Sequence, residues 1–184
     1  MKNQKNRNSE KRRAFCVALG GIFTALGVVI MYAGSLIEVL DLTAAVIASL
    51  LCIVTVIDLG KRWAWVVYAA TSVLATVLLP NKFPAVTYLL FVGYYPMIKA
   101  ALEGRITSRG VRFAVKLLIF NPAFAAITAV SVFVLRIPFD ERGFMIAVLF
   151  ALGNLTFIIY DIALTRLITF YIVKLRPRLK FLDR

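Results

Sequence analysis

The chain has 184 residues, 61% of them hydrophobic and 17% charged, and its mean hydropathy is +0.87. Soluble domains run at about 45–50% apolar and about 25% charged, so the solvent implied by this composition is lipid rather than water. Lysine and arginine outnumber the acids 22 to 9, giving a net charge of +13, and histidine is absent. That absence excludes Ser-His-Asp and Cys-His catalytic groups, HExxH zinc sites and histidine-ligated metal centres.

Residues 1–13 form a basic segment directly before the first apolar run. The charges lack interleaved aromatics, and further apolar runs follow, so neither a nucleic-acid-binding arm nor a cleaved signal peptide is the preferred reading. Cutting the chain with a ruler of about 17–25 apolar residues gives six spans. They cover residues 14–33, 42–57, 63–79, 85–102, 113–135 and 143–173, with breaks at charged or Pro/Gly clusters. The last is long enough to require tilt or projection from the bilayer. These boundaries predict an all-α polytopic integral membrane protein: a basic segment (1–13), a six-helix domain (14–173) and a basic tail (174–184).

The positive-inside rule tests that layout independently of apolar length. With the N-terminus cytoplasmic, the inner side collects the six cations of residues 1–13, Lys61 and Arg62, five from Lys99 to Lys116, and six from Arg166 to Arg184. Only Lys82, Arg136 and Arg142 fall outside, beside the acids Glu38, Asp41, Asp140 and Glu141. Both termini are therefore expected in the cytoplasm of a bacterial cell, with the chain in the cell membrane.

Polar groups at membrane depth are costly and therefore informative. Asn121-Pro122 lies within the fifth span, where proline frees a backbone carbonyl. Asn154 and Asp161 are seven residues apart in the sixth, on one face of a helix. Asp161 has Arg166 or Lys116 as candidate ion-pair partners, and Asn154 suits either a ligand contact or a helix–helix hydrogen bond. In the fourth span, Tyr88, Gly93, Tyr94, Tyr95 and Pro96 predict a helix that is not straight. Lys99 is expected to snorkel to the inner face. Glu38 and Asp41 lie in the first outer loop, either as part of a lid or as ordinary surface acids. The candidate solute-binding set is thus Glu38, Asp41, Tyr88, Tyr94, Asn121, Asn154 and Asp161, with no catalytic group, metal ligand or cofactor site.

Small residues in the first span repeat four apart, at Ala14 and Ala18 and at Gly21 and Ala25, with Gly20 and Gly27 beside them. Such spacing permits close approach of another helix, within the chain or from a partner. Cys16 and Cys52 form no CxxC pair and lie in apolar runs, where they read as small buried residues.

Six short spans, the run Arg13-Ala14-Phe15-Cys16-Val17-Ala18 and polar residues gathered in the late helices resemble the substrate-binding S components of energy-coupling-factor transporters. The resemblance implies that Ala14 and Ala18, with Gly21 and Ala25 as the alternative register, contact a transmembrane coupling protein driven by two ABC ATPases. It also implies that the first loop and the outer halves of helices four to six enclose a vitamin or a metal, the vitamin-like solute being the expectation for this chain. The lack of histidine argues against the nickel and cobalt members. A non-enzymatic cell-envelope scaffold, similar to the small rod-shape-determining membrane proteins, is the competing expectation. A lipid- or isoprenoid-processing enzyme would need clustered carboxylates for Mg²⁺, and no DDxxD-like group occurs. Membrane lipid is an expected partner under every reading, and nucleic acid under none.

Overall fold

A computed structural model describes residues 2–136 and 143–175, without the side chains of residues 2–6, 8, 9, 38 and 175. Asp140, Glu141 and Arg142, and the tail beyond Leu175, lie outside the described residues. Among those described there are helices and turns and no strands. The chain divides into two compact units, Met1–Met97 and Ile98–Arg184.

The first unit begins with α1 (Lys2–Ser35), in which the basic segment and the first apolar run form one continuous helix. A 3₁₀ turn over Glu38–Leu40 leads into α2 (Asp41–Asp58), and α3 (Lys61–Leu78) follows after a two-residue turn. Gly60 in that turn has φ +94°, a left-handed conformation that favours glycine. A short α4 (Phe83–Thr87), with Pro84 in its first turn, runs into a π-helical turn over Tyr88–Val92. Chain then re-enters α-helix as α5 (Tyr95–Arg105), which crosses the boundary between the units. The second unit continues with α6 (Arg109–Phe133) and α7 (Gly143–Phe170), the latter ending in a π turn over Tyr171–Leu175.

Five segments are long and apolar enough to cross a membrane: Glu10–Ser35, Asp41–Asp58, Phe83–Arg105, Arg109–Phe133 and Gly143–Lys174. The third expected span, now α3, is not among them. Its eighteen residues open on Lys61 and Arg62 and include Trp63, Trp65 and Tyr68, all of which lower its hydropathy.

Small residues set the packing of the first unit. Gly20, Gly27 and Gly34 recur every seven residues along α1 and face inward. A Cβ on Gly20 would reach Val67 Cγ2 at 3.4 Å, and one on Gly27 would reach Thr71 Cγ2 at 3.2 Å, so α3 lies close against α1. At Gly34 a Cβ would collide with that of Ala44, which places α2 closer still. The core below this seam contains Met31, Ala45, Ala48, Cys52, Val67, Ala75, Leu79, Ala85 and Tyr88. Both cysteines are free thiols and buried.

In the second unit, α6 turns Lys116, Phe120, Ala123, Ile127 and Ser131 inward at intervals of three or four residues, one face of the helix. On α7 only Phe157 and Leu164 are fully buried. Phe120 and Phe157 stack with centroids 4.5 Å apart. Gly153 leaves room for the Phe124 ring, whose nearest atom would lie 2.7 Å from an added Cβ. The buried stripe of α7 is narrow, and most of its apolar surface is not covered by the rest of the described residues.

Candidate functional site

The C-terminal part of α5, the N-terminal part of α6 and the C-terminal half of α7 converge on four charges. Lys116 Nζ donates to both carboxylate oxygens of Asp161, at 3.0 and 2.9 Å, and to Glu103 Oε1 at 3.0 Å. Lys99 Nζ bonds to Asp161 Oδ1, to the Asp161 carbonyl at 2.9 Å and to Thr165 Oγ1 at 2.8 Å. It also lies 3.4 Å from Glu103 Oε1, one helical turn along α5. The Lys99 side chain is 0% exposed, so it does not snorkel as expected. An ammonium reaching outward would leave the mostly buried Asp161 carboxylate with fewer counter-charges, and the inward rotamer neutralises both. Of the two partners considered for Asp161, Lys116 forms the pair, while Arg166 is exposed and makes no ion pair among the described residues. Two ammoniums and two carboxylates cancel, and the cluster fixes the three helices in register.

Further along the same stripe, Asn121 and Asn154 face one another, and each amide also donates to a carbonyl one turn earlier, Leu117 at 3.0 Å and Phe150 at 2.8 Å. The spacing of Asn154, Phe157, Asp161 and Leu164 thus defines the α7 face that meets α6, as the seven-residue interval predicts.

In the first unit, Tyr88 is buried and its hydroxyl shares a 3.1 Å hydrogen bond with Cys52 Sγ. The π turn explains a second bond nearby. In an α-helix the Gly93 N–H would bond to the Leu89 carbonyl, but here it donates to Tyr88 O at 2.9 Å. The Leu89 carbonyl instead accepts from the Tyr68 hydroxyl at 2.6 Å. Gly93 makes this possible, because an added Cβ would lie 2.7 Å from the Tyr88 ring and 2.8 Å from that of Tyr68. Tyr94 is half-buried, packs edge-on against Tyr68 and Phe91, and its hydroxyl makes no hydrogen bond among the described residues.

At the opposite end of this unit, Asn81 Nδ2 donates to Asp41 Oδ2, and Asn81 Oδ1 accepts from the Phe83 N–H at 3.1 Å. Lys82 Nζ meanwhile caps the last carbonyls of α3, reaching Thr76 at 2.9 Å and Leu79 at 2.7 Å. Asp41 is buried rather than displayed in a surface loop. The side chain of Glu38 lies outside the described residues.

Ala14, Ala18, Gly21 and Ala25 are exposed along the face of α1 turned away from the glycine seam, and nothing lies within 4 Å of a Cβ added at Gly21. The sequence reading grouped these residues with Gly20 and Gly27, whereas packing separates them onto two faces.

Sequence reasoning missed Asn81, Cys52 and Lys99 as partners. Asn81 sits in the Pro80-Asn81-Lys82-Phe83-Pro84 break, where asparagine commonly bonds to nearby backbone, but its cross-helix acid is not visible in the sequence. Lys99 carried a signal of its own, a cation and an acid both inside predicted spans.

No group of three or more histidine, cysteine or acidic residues able to hold a metal ion occurs among the described residues. No family model matches the chain, and none of the curated proteins or solved structures compared with it matches either.

Proposed function

We propose that this chain is a non-enzymatic membrane subunit that docks on another membrane protein through the small-residue face of α1. The observation that carries the reading is the division of α1 into two faces. Gly20, Gly27 and Gly34 serve packing within the chain, while Ala14, Ala18, Gly21 and Ala25 remain uncovered. In lipid, apolar helix surfaces gain little by leaving the solvent, and a smooth face favours association through close backbone approach.

The reading extends to six spans with both termini cytoplasmic in a bacterial cell membrane. The cation distribution supports that orientation, and α3, joined to α2 by two residues, supplies the sixth crossing despite its basic start. By its resemblance to S components, the docked partner is a transmembrane coupling protein carrying two ABC ATPases, and the cargo is a vitamin-like solute. Within this reading Tyr94, with a hydroxyl available at the π turn, is the preferred solute contact in the first unit.

Co-expression with such a coupling module and affinity purification tests the proposal. The module is expected to co-purify with the native chain and to be lost from Ala18→Trp, while Ala18→Trp retains native thermal stability. Retention of the module by Ala18→Trp sinks the docking role.

A second reading, a scaffold of the cell envelope, is favoured by the mutual satisfaction of the intramembrane polar groups. Asn121 is bonded to Asn154, and Asp161 to two lysines, which uses groups a solute site would need. Mass spectrometry of small molecules retained by the purified chain separates the two readings. A stoichiometric solute supports capture, and a solute-free chain whose loss alters cell shape supports the scaffold.

A further inference from the structure

Beyond the ion-pair cluster and the docking face, the first unit contains a cavity of about 570 Å³ lined by Arg12, Arg13, Cys16, Leu59, Gly60, Lys61, Arg62 and Trp63. Four cations from two distant segments converge on it, and no carboxylate is among its lining residues. Asp58, the nearest acid in the α2–α3 turn, does not line it. None of the four cations has an ion-pair partner among the described residues.

The positive-inside rule accounts for cations on this side of the bilayer but not for their convergence. Arg12 and Arg13 end the basic part of α1, whereas Lys61 and Arg62 open α3, and the close approach of α1 to α3 at Gly20 and Gly27 brings the two pairs together. The placement of Lys61 and Arg62 is itself unfavourable. The first turn of α3 contains no acid, and its Gly60 cap offers no side chain to the free N–H groups. A helix N-terminus carries partial positive charge and prefers an anion, so two cations there add to the repulsion among the four. A local arrangement that opposes its own electrostatics marks a functional position when a ligand relieves it.

We propose that this cavity is a binding site for a phosphate-bearing anion at the membrane surface. Arginine pairs supply forked donors suited to phosphate oxygens, and Lys61 and the α3 N-terminus add further positive potential. Trp63 lines the wall as an amphipathic ring of the kind found at headgroup depth, and Cys16 is buried beside it. The phosphate comes either from the headgroup of an anionic phospholipid or from a small soluble phosphate ester. This assignment is independent of whether the chain captures a solute or docks on a partner.

The test uses the full chain with Trp65→Phe, so that Trp63 is the sole tryptophan, in micelles of a neutral detergent. Fluorescence is followed during titration with phosphatidylglycerol, phosphatidylcholine and glycerol 3-phosphate. A saturable response to phosphatidylglycerol but not to phosphatidylcholine or glycerol 3-phosphate supports the site with a lipid source. Saturation by glycerol 3-phosphate supports it with a soluble source. Arg12→Gln with Arg62→Gln is expected to weaken binding at least about tenfold, given the strength of charged hydrogen bonds, and Arg13→Gln with Lys61→Gln repeats the test should the first pair fold poorly. Arg7→Gln with Lys11→Gln removes the same charge outside the cavity and is expected to leave affinity within about threefold, since charges away from the site are screened by solvent and salt and a neutral-detergent micelle adds no surface potential for them to sense. No saturable response to phosphatidylglycerol or glycerol 3-phosphate, a response to phosphatidylcholine equal to that of phosphatidylglycerol, or equal loss in the control pair overturns the proposal.

Discussion

Asn121 of α6 and Asn154 of α7 exchange amide hydrogen bonds in both directions, Nδ2 to Oδ1 at 3.2 Å and 3.0 Å. Each side chain supplies a donor and an acceptor to the other, so two polar groups within apolar helices are paired. Single replacement therefore does more harm than double replacement. Asn154→Leu is expected to destabilise the chain by about 1–2 kcal/mol, since it takes from Asn121 Oδ1 the donor that Asn154 supplies, while Asn121 Nδ2 keeps the Leu117 carbonyl. Asn121→Leu combined with Asn154→Leu should recover part of that loss, with a coupling energy of about 0.6–1.7 kcal/mol. Reversible unfolding in detergent gives both quantities, and purely additive single losses would refute the pairing.

Asp161 is the common anion of Lys99 and Lys116, and only 17% of its side chain is exposed. Asp161→Asn leaves both ammoniums with Glu103 alone and is expected to cost about 3–5 kcal/mol, the range for removing one partner of a buried ion pair. Glu103→Gln should cost clearly less, because Glu103 is 33% exposed and solvent screens its contribution. Fluorescence-detected size exclusion after a heating series ranks the two variants. The assignment fails if Asp161→Asn proves as stable as Glu103→Gln.

Gly34 and Gly21 lie on the same helix yet predict opposite responses to one methyl group. Gly34→Ala drives a Cβ into Ala44 and must push α1 and α2 apart, with an expected loss of about 1–3 kcal/mol from overpacking. Gly21→Ala meets nothing within 4 Å, so the better helix propensity of alanine should leave stability unchanged or raised by up to about 1 kcal/mol. Thermal midpoints of the two variants compare them directly, and a destabilised Gly21→Ala would show that this face is covered.

Tyr68→Phe removes the donor to the Leu89 carbonyl and keeps the ring. The expected loss is about 1 kcal/mol, the usual net value of one hydrogen bond. Gly93→Ala should cost more, as its methyl displaces the rings of both Tyr68 and Tyr88. Equal midpoints for the two variants would contradict the close approach at the π turn.

Orientation is open to a labelling test. Val39, in the 3₁₀ turn, is 88% exposed, and Lys61 opens α3 on the opposite side of α2. Because Cys16 and Cys52 are buried, background labelling should be slow. Val39→Cys is expected to react with an impermeant maleimide on intact cells, and Lys61→Cys only after permeabilisation. The reverse pattern would invert the topology.

By itself the sequence determined the helical class and the approximate boundaries of five segments long and apolar enough to cross a membrane. Those follow from composition and apolar run length, because backbone hydrogen bonds in lipid must close within each segment. It also determined that Asn154 and Asp161 share a helix face, since helical periodicity is local. The tertiary structure decided which partners those faces meet. Lys99 turns to Asp161 rather than to water because pairing two buried opposite charges outweighs exposing the ammonium, a balance set by a neighbour 62 residues away. Likewise, the glycines and alanines of α1 look alike in sequence, and only the positions of Val67, Thr71 and Ala44 separate an internal seam from an uncovered face. The cations behave in the same way: their distribution along the chain predicts an orientation, but the convergence of Arg12, Arg13, Lys61 and Arg62 on one cavity depends on helix packing, which no local pattern specifies.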